Sequence, residues 1–520
     1  MIKNFKWLLL ASLSFVACDN NDDDSASAEV PITSGSASFS KYVAVGDSFA
    51  AGYSNGALFK TSQETSYVNI LAQQFVPAGG SAITIPYMAD DLGGLLFAGN
   101  VITENRKVIL GFNTDKTPII GSLPGRPTTE VTNHLTGTFN NLGIPGAKSF
   151  HLLAAGYGNV AGVPTKKASP YYARFASSAT STVLADAVSQ NPTFFSLWIG
   201  GNDVLGYATN GGVPTSQDSN LGDDITPTAT FDSAYKALVA GLTEKGAKGV
   251  VANLPYVTTL PFFTTVPFNP LTAKALGKGN VAAGNAAIAD LNAQLYGPLK
   301  QVLTALGAGD RINLLVPTAT TAGAVDVPNP LLIKDEKLTN LSAQLTVAFT
   351  PMLGADKAAA YGQVFGQARQ ATKADLVLLT SKADIAEASG YPAPLDKFGV
   401  TFPFLDKHVL TASEVDEVKV ATNAYNTIIA ATAEAKGLAF VDSKLAMEQL
   451  SSTGVRFGNF QMTASYVVGG AFSLDGIHPT PRGYAFITNL FVDAINAKYG
   501  STLRTVDLAQ YQTLFPAVIK

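Results

Sequence analysis

One serine and one histidine stand in settings that suit nucleophilic chemistry. Ser48 follows an apolar run over residues 42–45, and His478 comes three residues after Asp475. That spacing lets both side chains of the pair point into one site from a single turn. A serine hydroxyl becomes a good nucleophile when an imidazole removes its proton, and a carboxylate orients that imidazole. These residue types therefore suit acyl transfer, with Ser48 as nucleophile, His478 as base and Asp475 as its partner.

Two further motifs lie between these positions. Residues 141–146 read Asn-Leu-Gly-Ile-Pro-Gly, a glycine-bearing turn whose amides could approach a ligand closely. Residues 200–203 read Gly-Gly-Asn-Asp and directly follow an apolar run over 194–199. Each motif alone is weak evidence, because Ser48 could cap a helix and His478 could be structural. Their placement at strand ends or helix starts favours a single site.

The elements that must position these residues alternate along the chain. Apolar runs predict buried strands at residues 42–45, 194–199, 249–252, 376–379 and 438–441. Helical spacing and capping residues predict helices at 230–245, at 281–306, from Thr411 to Gly437, and from Thr480 to Gly500. Strands alternating with helices predict a three-layer α/β domain with a parallel sheet. The carboxyl edge of such a sheet is where ligands bind.

The four motifs, in this order, resemble the SGNH/GDSL hydrolases over residues 42 to about 484. The resemblance implies a flavodoxin-like sheet and hydrolysis of carboxylic esters through an acyl-serine intermediate, without a cofactor. It places the nucleophile at Ser48 and the rest of the triad at Asp475 and His478. It places oxyanion donors at the amides of Ser48 and Gly143 and at the Asn202 side chain. Gly146 lies close by and is the alternative to Gly143, which is favoured.

The hydrolase domain is expected to span residues 39–520, with large insertions at about 56–140 and 262–395 that build walls around the site. The first is rich in Gly, Thr and Pro, and the second carries extra helices between strand signals. The Pro- and Phe-rich run over 260–268 has two interpretations, an acyl pocket or ordinary core packing, of which core packing is the commoner.

The N-terminus reads as an export signal. Lys3 and Lys6 precede an apolar run over residues 7–17, and Cys18, the only cysteine of the chain, follows it directly. This arrangement resembles a bacterial lipobox, so residues 1–17 are predicted to be a lipoprotein signal peptide and Cys18 a lipidation site. Residues 18–38 are acidic and polar and should form a flexible tether. We therefore expect an exported protein that is lipid-anchored to the outer membrane. The acidic residues that follow Cys18 resemble the export signal of bacterial surface lipoproteins and so suggest a place on the cell surface.

Composition excludes several other classes. With 47% hydrophobic and 14% charged residues, the chain can build a large core. The formal charge of −4 and the absence of a basic cluster argue against nucleic acid as a partner. No metal-ligand motif is present, and His134, His151 and His408 have no partner spacing that indicates ligands. The expected partner is a lipid, glycan or small-molecule ester.

Three functions remain open at this stage. A fatty-acyl esterase is slightly favoured by the long insertions and apolar loops. A carbohydrate O-acetylesterase of the same fold is the nearest enzymatic alternative. A non-catalytic, surface glycan-binding lipoprotein is the alternative from another class, and it would be favoured if Ser48 or His478 were missing.

Overall fold

The computed structural model describes residues 31–114, 116–213, 223–321 and 323–517. The predicted signal peptide, Cys18 and most of the predicted tether lie outside these residues. Within them, no helix is both long and apolar enough to cross a lipid bilayer.

Five short parallel strands form the centre of the molecule. They are Tyr42–Gly46 (β1), Asn141–Gly143 (β2), Phe194–Trp198 (β3), Lys248–Ala252 (β4) and Ala439–Val441 (β5). Their order across the sheet is β5-β4-β3-β1-β2, and every neighbouring pair is parallel. This is the flavodoxin-like order, in which the chain changes direction of winding beside the first strand. The prediction of a three-layer α/β fold with a parallel sheet is confirmed.

Helices cover both faces of this sheet. In chain order the main helices are Ser48–Ala51 (α1), Tyr67–Phe75 (α2), Val183–Ser189 (α3), Asn202–Thr209 (α4), Thr228–Thr243 (α5), Ala412–Ala435 (α6), Ser443–Ser452 (α7) and Pro481–Tyr499 (α8). α2 and α8 pack together, with α8 against β4 and β5, while α5 packs on both α3 and α6 in a second layer. Strands β1 and β3 are buried along their whole length, which explains their continuous apolar sequence.

The last helix begins and ends as its sequence predicts. The Thr480 hydroxyl accepts a hydrogen bond from the Gly483 amide, Pro481 takes the first helical position, and Gly500 closes the helix with φ +66°. Because α8 packs on the sheet, these caps hold the turn in front of it, which carries His478.

One predicted strand does not belong to the central sheet, and one strand of the sheet was predicted as a turn. Leu376–Val377 pairs antiparallel with Val409–Leu410 in a separate two-stranded ribbon. Val377 is buried in a satellite cluster and Leu378 in the main core, and burial alone produces the same apolar pattern as a central strand. Asn141–Gly143 has only three residues, too few for a periodic signal.

Small sheets and short helices fill the first predicted insertion and the loops around it. Its strands are Leu95–Phe97, Asn100–Val101, Lys107–Phe112, Pro118–Ser122 and Thr129–Glu130, and its helical turns are Lys60–Glu64 and Val76–Ala78. Three 3₁₀ turns follow β2, at Ser149–Leu153, Val160–Thr165 and Tyr172–Arg174.

The second insertion has apolar clusters of its own. Its helices are Pro261–Thr264, Ala273–Leu276, Val281–Leu291, a π-helical turn at Asn292–Tyr296, Gly297–Ala305, Ser342–Leu353 and Ala355–Phe365, and its further strands are Leu332–Lys334 and Ala368–Gln370. Arg369 ties it together through ion pairs of 2.7 Å to Asp335 and 2.6 Å to Asp375. The remaining short elements are Val257–Thr259, Gly309–Arg311, Leu379–Asp384, Asp406–His408, Val455–Phe457, Phe460–Met462 and Leu508–Gln510.

Candidate active site

Ser48 lies where β1 meets α1, at the carboxyl edge of the sheet. Asp47 caps the helix, since its Oδ1 accepts the Phe49 amide at 3.0 Å. The cap fixes the direction of the short helix and so the position of the Ser48 side chain, which is only 5% exposed. The Ser48 amide donates to no acceptor in the described part of the chain, so it is free to bind a ligand.

His478 is held by the tight turn that precedes α8. Asp475 organises this turn, because its Oδ1 accepts the amides of Ile477 at 2.9 Å and His478 at 2.8 Å. Its other oxygen, Oδ2, lies 2.8 Å from His478 Nδ1. A single carboxylate therefore shapes the backbone of the turn and fixes the plane of the imidazole ring.

The turn brings His478 to Ser48 across 430 positions of sequence. His478 Nε2 lies 2.9 Å from Ser48 Oγ. With Asp475 on the other ring nitrogen, the three side chains form a continuous hydrogen-bonded series from carboxylate to imidazole to hydroxyl. This is the spatial arrangement that activates a serine.

The charge of Asp475 is stabilised despite its burial. Burial alone would raise the pKa of this carboxyl, but the neighbouring His478 and the two turn amides outweigh burial and lower the pKa to about 2. The Gly56 amide at 2.8 Å and the Ser473 hydroxyl at 3.1 Å also donate to it. Asp475 is thus ionised at any pH at which His478 could act as a base.

Asn202 and Asp203, at the start of α4, bind the loop that follows β2. Asn202 Nδ2 donates to the Ala147 carbonyl at 3.0 Å. Asp203 accepts both the amide and the hydroxyl of Ser149 at 2.8 Å. Burial raises the pKa of Asp203 to about 6, and these hydrogen bonds only partly offset that effect. The helix start therefore holds residues 144–149 against the carboxyl edge of the sheet.

The structure corrects the expectation for Gly143. Its amide already donates to Asn141 Oδ1 at 2.9 Å, and a Cβ atom on it would lie 2.3 Å from the Ala51 nitrogen. Glycine is therefore required at position 143 by the close packing of β2 on α1, and its amide is not free to bind an oxyanion.

Gly146 has the properties that Gly143 lacks. It sits in a Pro-Gly turn closed by the Ala147 amide on the Ile144 carbonyl at 3.0 Å, with φ +79°. A proline followed by a glycine of positive φ is typical of a type II turn. Its amide donates to no acceptor among the described residues, and it lines an open cavity. The neighbouring Ala147 is the residue that Asn202 contacts, so this turn lies beside the Asn202 side chain.

An apolar cavity opens beside Ser48. It has a volume of about 880 Å³, including the part open to solvent. Asp47, Ser48 and Asn202 are among its few polar wall residues. The rest of the wall is almost entirely apolar and comes from distant parts of the chain: Phe49; Trp198 and Leu205; Leu254 and Leu260; Ala446, Met447 and Leu450; and Ile477, Phe486, Ile487 and Leu490.

The wall residues on α7 and α8 were not predicted from the sequence. Met447, Leu450 and Phe486 lie on the buried faces of helices, where a cavity wall and a core have the same pattern. Of the Pro- and Phe-rich run, Leu260 lines the cavity, whereas Phe263 is 1% exposed and packs in the core. Both interpretations of that run thus apply, to different residues.

The remaining histidines do not join the triad. His408 is buried, and its Nδ1 accepts the Leu405 amide at 3.0 Å. His151 stacks on Tyr157, with ring centroids 4.8 Å apart. In the parts of the chain that the structure describes, no three His, Cys, Asp or Glu side chains group as metal ligands would.

A family model described as GDSL-like Lipase/Acylhydrolase matches residues 42–335, more than half of the chain. The chain belongs to this GDSL-like family. The prediction of an SGNH/GDSL hydrolase is confirmed, and with it the general class of hydrolases that act on esters. Searches of curated proteins and of solved structures give no significant match.

The matched range of the GDSL-like family contains Ser48, Gly146 and Asn202 but ends before Asp475 and His478. For those two residues the evidence is geometric. His478 Nε2 lies 2.9 Å from Ser48 Oγ, and Asp475 Oδ2 lies 2.8 Å from His478 Nδ1.

Proposed function

We propose that the protein is a serine ester hydrolase that cleaves fatty-acyl esters through an acyl-serine intermediate at Ser48. The observation that carries the proposal is the contact of His478 with both Ser48 and Asp475, at the wall of an apolar cavity. His478 takes the hydroxyl proton as Ser48 attacks the ester carbonyl, and then returns it to the departing alcohol. Water, activated by the same imidazole, releases the acid.

Three donors are available for the oxyanion of the tetrahedral intermediate. They are the amide of Ser48, the amide of Gly146, and the second hydrogen of Asn202 Nδ2, whose first hydrogen is held by Ala147. Each such donor contributes on the order of 3 kcal/mol to transition-state stabilisation. Because the Ala147 carbonyl and Asp203 fix the donors before substrate arrives, little reorganisation accompanies the reaction.

The apolar cavity supports a fatty-acyl substrate over an acetyl ester. An acetyl group has one methyl to bury and would contact little of this apolar wall. A longer chain gains about 0.8 kcal/mol for each methylene that it buries. A carbohydrate O-acetylesterase is therefore the weaker candidate, and the intact contact between Ser48 and His478 argues against a purely glycan-binding role.

The membrane location is a separate proposal that rests on the sequence of residues 1–38. We propose export and lipidation at Cys18, which would anchor the enzyme at the outer membrane near lipid esters. Growth with a labelled fatty acid should label the wild type and not Cys18→Ala, and fractionation should move the variant out of the membrane pool. Equal labelling of both proteins would refute the anchor without affecting the esterase proposal.

The catalytic proposal is tested with p-nitrophenyl esters from acetyl to palmitoyl. The wild type should hydrolyse medium and long chains best and should be labelled by a fluorophosphonate probe. Ser48→Ala should lose both activities, while Ser233→Ala, at an exposed serine on α5, should keep them. If no ester is turned over and the probe does not label Ser48, the protein is not a serine esterase.

A further inference from the structure

The loop that follows the nucleophile's helix is a tight turn. Ser54 and Ala57 close it with two hydrogen bonds of 3.0 Å, each amide donating to the other residue's carbonyl. Asn55 and Gly56, at its centre, have positive φ values of +53° and +79°. An Asn-Gly pair in this conformation is typical of a type I′ turn. We call residues 53–56 the Asn-Gly loop.

Every residue of the Asn-Gly loop is hydrogen-bonded to the segment that carries Asp475 and His478. The contacts are Tyr484 Oη to the Tyr53 carbonyl at 2.6 Å, Ser54 Oγ to the Pro479 carbonyl at 2.9 Å, the Asn55 amide to Ser473 Oγ at 2.8 Å, the Leu474 amide to Asn55 Oδ1 at 3.0 Å, and the Gly56 amide to Asp475 Oδ2 at 2.8 Å. The Ser473 hydroxyl in turn donates to Asp475 Oδ1 at 3.1 Å. The loop therefore reaches both oxygens of the carboxylate that orients His478.

The Asn-Gly loop belongs to the same part of the chain as Ser48. The Tyr53 amide donates to the Ser48 carbonyl at 2.9 Å, so the loop starts directly from α1. The turn that carries His478, by contrast, lies 430 positions further along the chain. The loop is thus a hydrogen-bonded connection between nucleophile and base that does not pass through the contact between their side chains.

The side chain of Asn55 is not needed for the turn itself. Glycine takes the same left-handed backbone more readily than asparagine does. Asn55 is nevertheless only 2% exposed, with Oδ1 on the Leu474 amide. Its Nδ2 is buried and has no hydrogen-bond partner in the described part of the chain. A buried donor without a partner lowers stability, so this side chain does more than stabilise the turn.

We propose that Asn55 is a positioning residue for the reaction at Ser48. Its amide and Oδ1 hold Ser473 and Leu474, and through them the turn in which Asp475 presents His478 to the serine. This inference rests on the proposed esterase function and adds to it a residue that sets the distance from base to nucleophile. General-base catalysis requires that distance to be within hydrogen-bond reach, and a displacement of about 1 Å costs on the order of 100-fold in rate.

The first test is Asn55→Gly, which keeps the turn and the backbone amide but removes the acceptor of the Leu474 amide. The kcat for p-nitrophenyl octanoate should fall on the order of 10- to 100-fold. KM should not change, because Asn55 lines neither the apolar cavity nor the open cavity at Gly146. The melting temperature should change little, since the variant loses an acceptor and also an unpaired donor. A purely structural residue would instead lower the melting temperature and leave the kcat of the folded protein unchanged.

A second readout does not depend on turnover. The Nδ1 proton of His478, held by Asp475, should give a low-field proton NMR resonance that is absent from His478→Ala. Asn55→Gly should shift or broaden this resonance, because the carboxylate is no longer held at one distance from the ring. Ser473→Ala should do the same, since it removes the acceptor of the Asn55 amide and one donor to Asp475.

Asn191→Gly is the matched control. Asn191 also has a positive φ, of +50°, and its Oδ1 also accepts a hydrogen bond, from Lys245 Nζ at 2.5 Å. It is exposed and precedes β3, at the edge of the sheet opposite Ser48. The control should keep the kcat, the KM and the His478 resonance of the wild type.

The outcomes separate this inference from the esterase proposal. If the wild type hydrolyses no ester, the esterase proposal fails, and the resonance alone decides whether Asn55 positions His478. If Asn55→Gly keeps both kcat and the resonance, or loses no more kcat than Asn191→Gly, the inference is overturned. If Asn55→Gly does not fold, Ser473→Ala decides by the same two measurements.

Discussion

The apolar cavity lined by Ser48 and the wide cavity lined by Gly146 differ in wall, width and charge. The apolar cavity is closed in by α4, α7 and α8, whereas the wide one is built from loops and 3₁₀ turns and carries two lysines, Lys166 and Lys167. Helices held by a packed core give a wall of fixed shape, and loops expose backbone and charged groups. The two cavities therefore differ in kind: one offers an apolar wall of fixed shape, and the other offers backbone and charged groups.

The largest expected effect comes from a substitution of Asn202, because the oxyanion forms in the hydrolysis of every ester, whichever cavity holds each half of the substrate. Asn202→Ala removes one oxyanion donor and should lower kcat by about 10²- to 10³-fold. The loss should be the same for acetyl and decanoyl esters, as measured by steady-state kinetics. A loss confined to one substrate class would assign Asn202 to one cavity and not to the oxyanion.

The next effect concerns Asp203, which holds the turn between the cavities. Its pKa of about 6, against an ordinary value of 3.8, means that the folded state binds the proton more tightly than the unfolded state. Its contribution to stability is therefore present at low pH and is lost as the pH rises through 6.

Asp203→Asn removes this titration. Relative to the wild type, the variant should gain about 3 kcal/mol in free energy of unfolding between pH 3.5 and pH 7, from two pKa units of linkage. Urea unfolding at a series of pH values measures it. A pH-independent difference between the two proteins would show that the carboxyl does not titrate in this range.

Filling the apolar cavity should separate its role from that of the wide cavity. Ala446 lines the cavity on α7, and Ala446→Trp should lower kcat/KM for decanoyl esters by on the order of 10- to 100-fold, since a few methylenes lose their burial. Acetyl esters should be unaffected. Leu445→Trp is the control, because the adjacent Leu445 is 61% exposed. Equal losses on both esters would indicate misfolding, which thermal unfolding of the variant checks.

The smallest expected effect is the change in kcat/KM when the acyl chain of the substrate is lengthened by one methylene. Each methylene buried in the apolar cavity should raise kcat/KM by about fourfold, which corresponds to 0.8 kcal/mol. The increase should stop once the chain fills the cavity. A flat profile from butyryl to decanoyl would show that the cavity does not hold the acyl chain.

The sequence predicts the parts of this site that depend on local geometry. Ser48 after a strand, and the turn from Asp475 to His478 before a capped helix, are set by neighbours within a few residues. The sequence favoured Gly143 over Gly146, and the structure reverses that choice. The two glycines differ in hydrogen bonding, packing and backbone conformation, which become visible only once Asn141 and Ala51 are placed. The cavity walls could not be predicted, because they combine residues from distant helices.

The separation of Ser48 and His478 along the chain has a consequence for synthesis. Ser48 leaves the ribosome early, and β1 is the central partner of β2 and β3. His478, by contrast, is held by a turn whose carboxylate binds Gly56 and whose flanking helix packs on β4 and β5. The nascent chain thus carries a serine without a base until the 430 positions that separate Ser48 from His478 have been made. Chemistry at Ser48 that depends on His478 therefore begins only after the two ends of this segment have folded together.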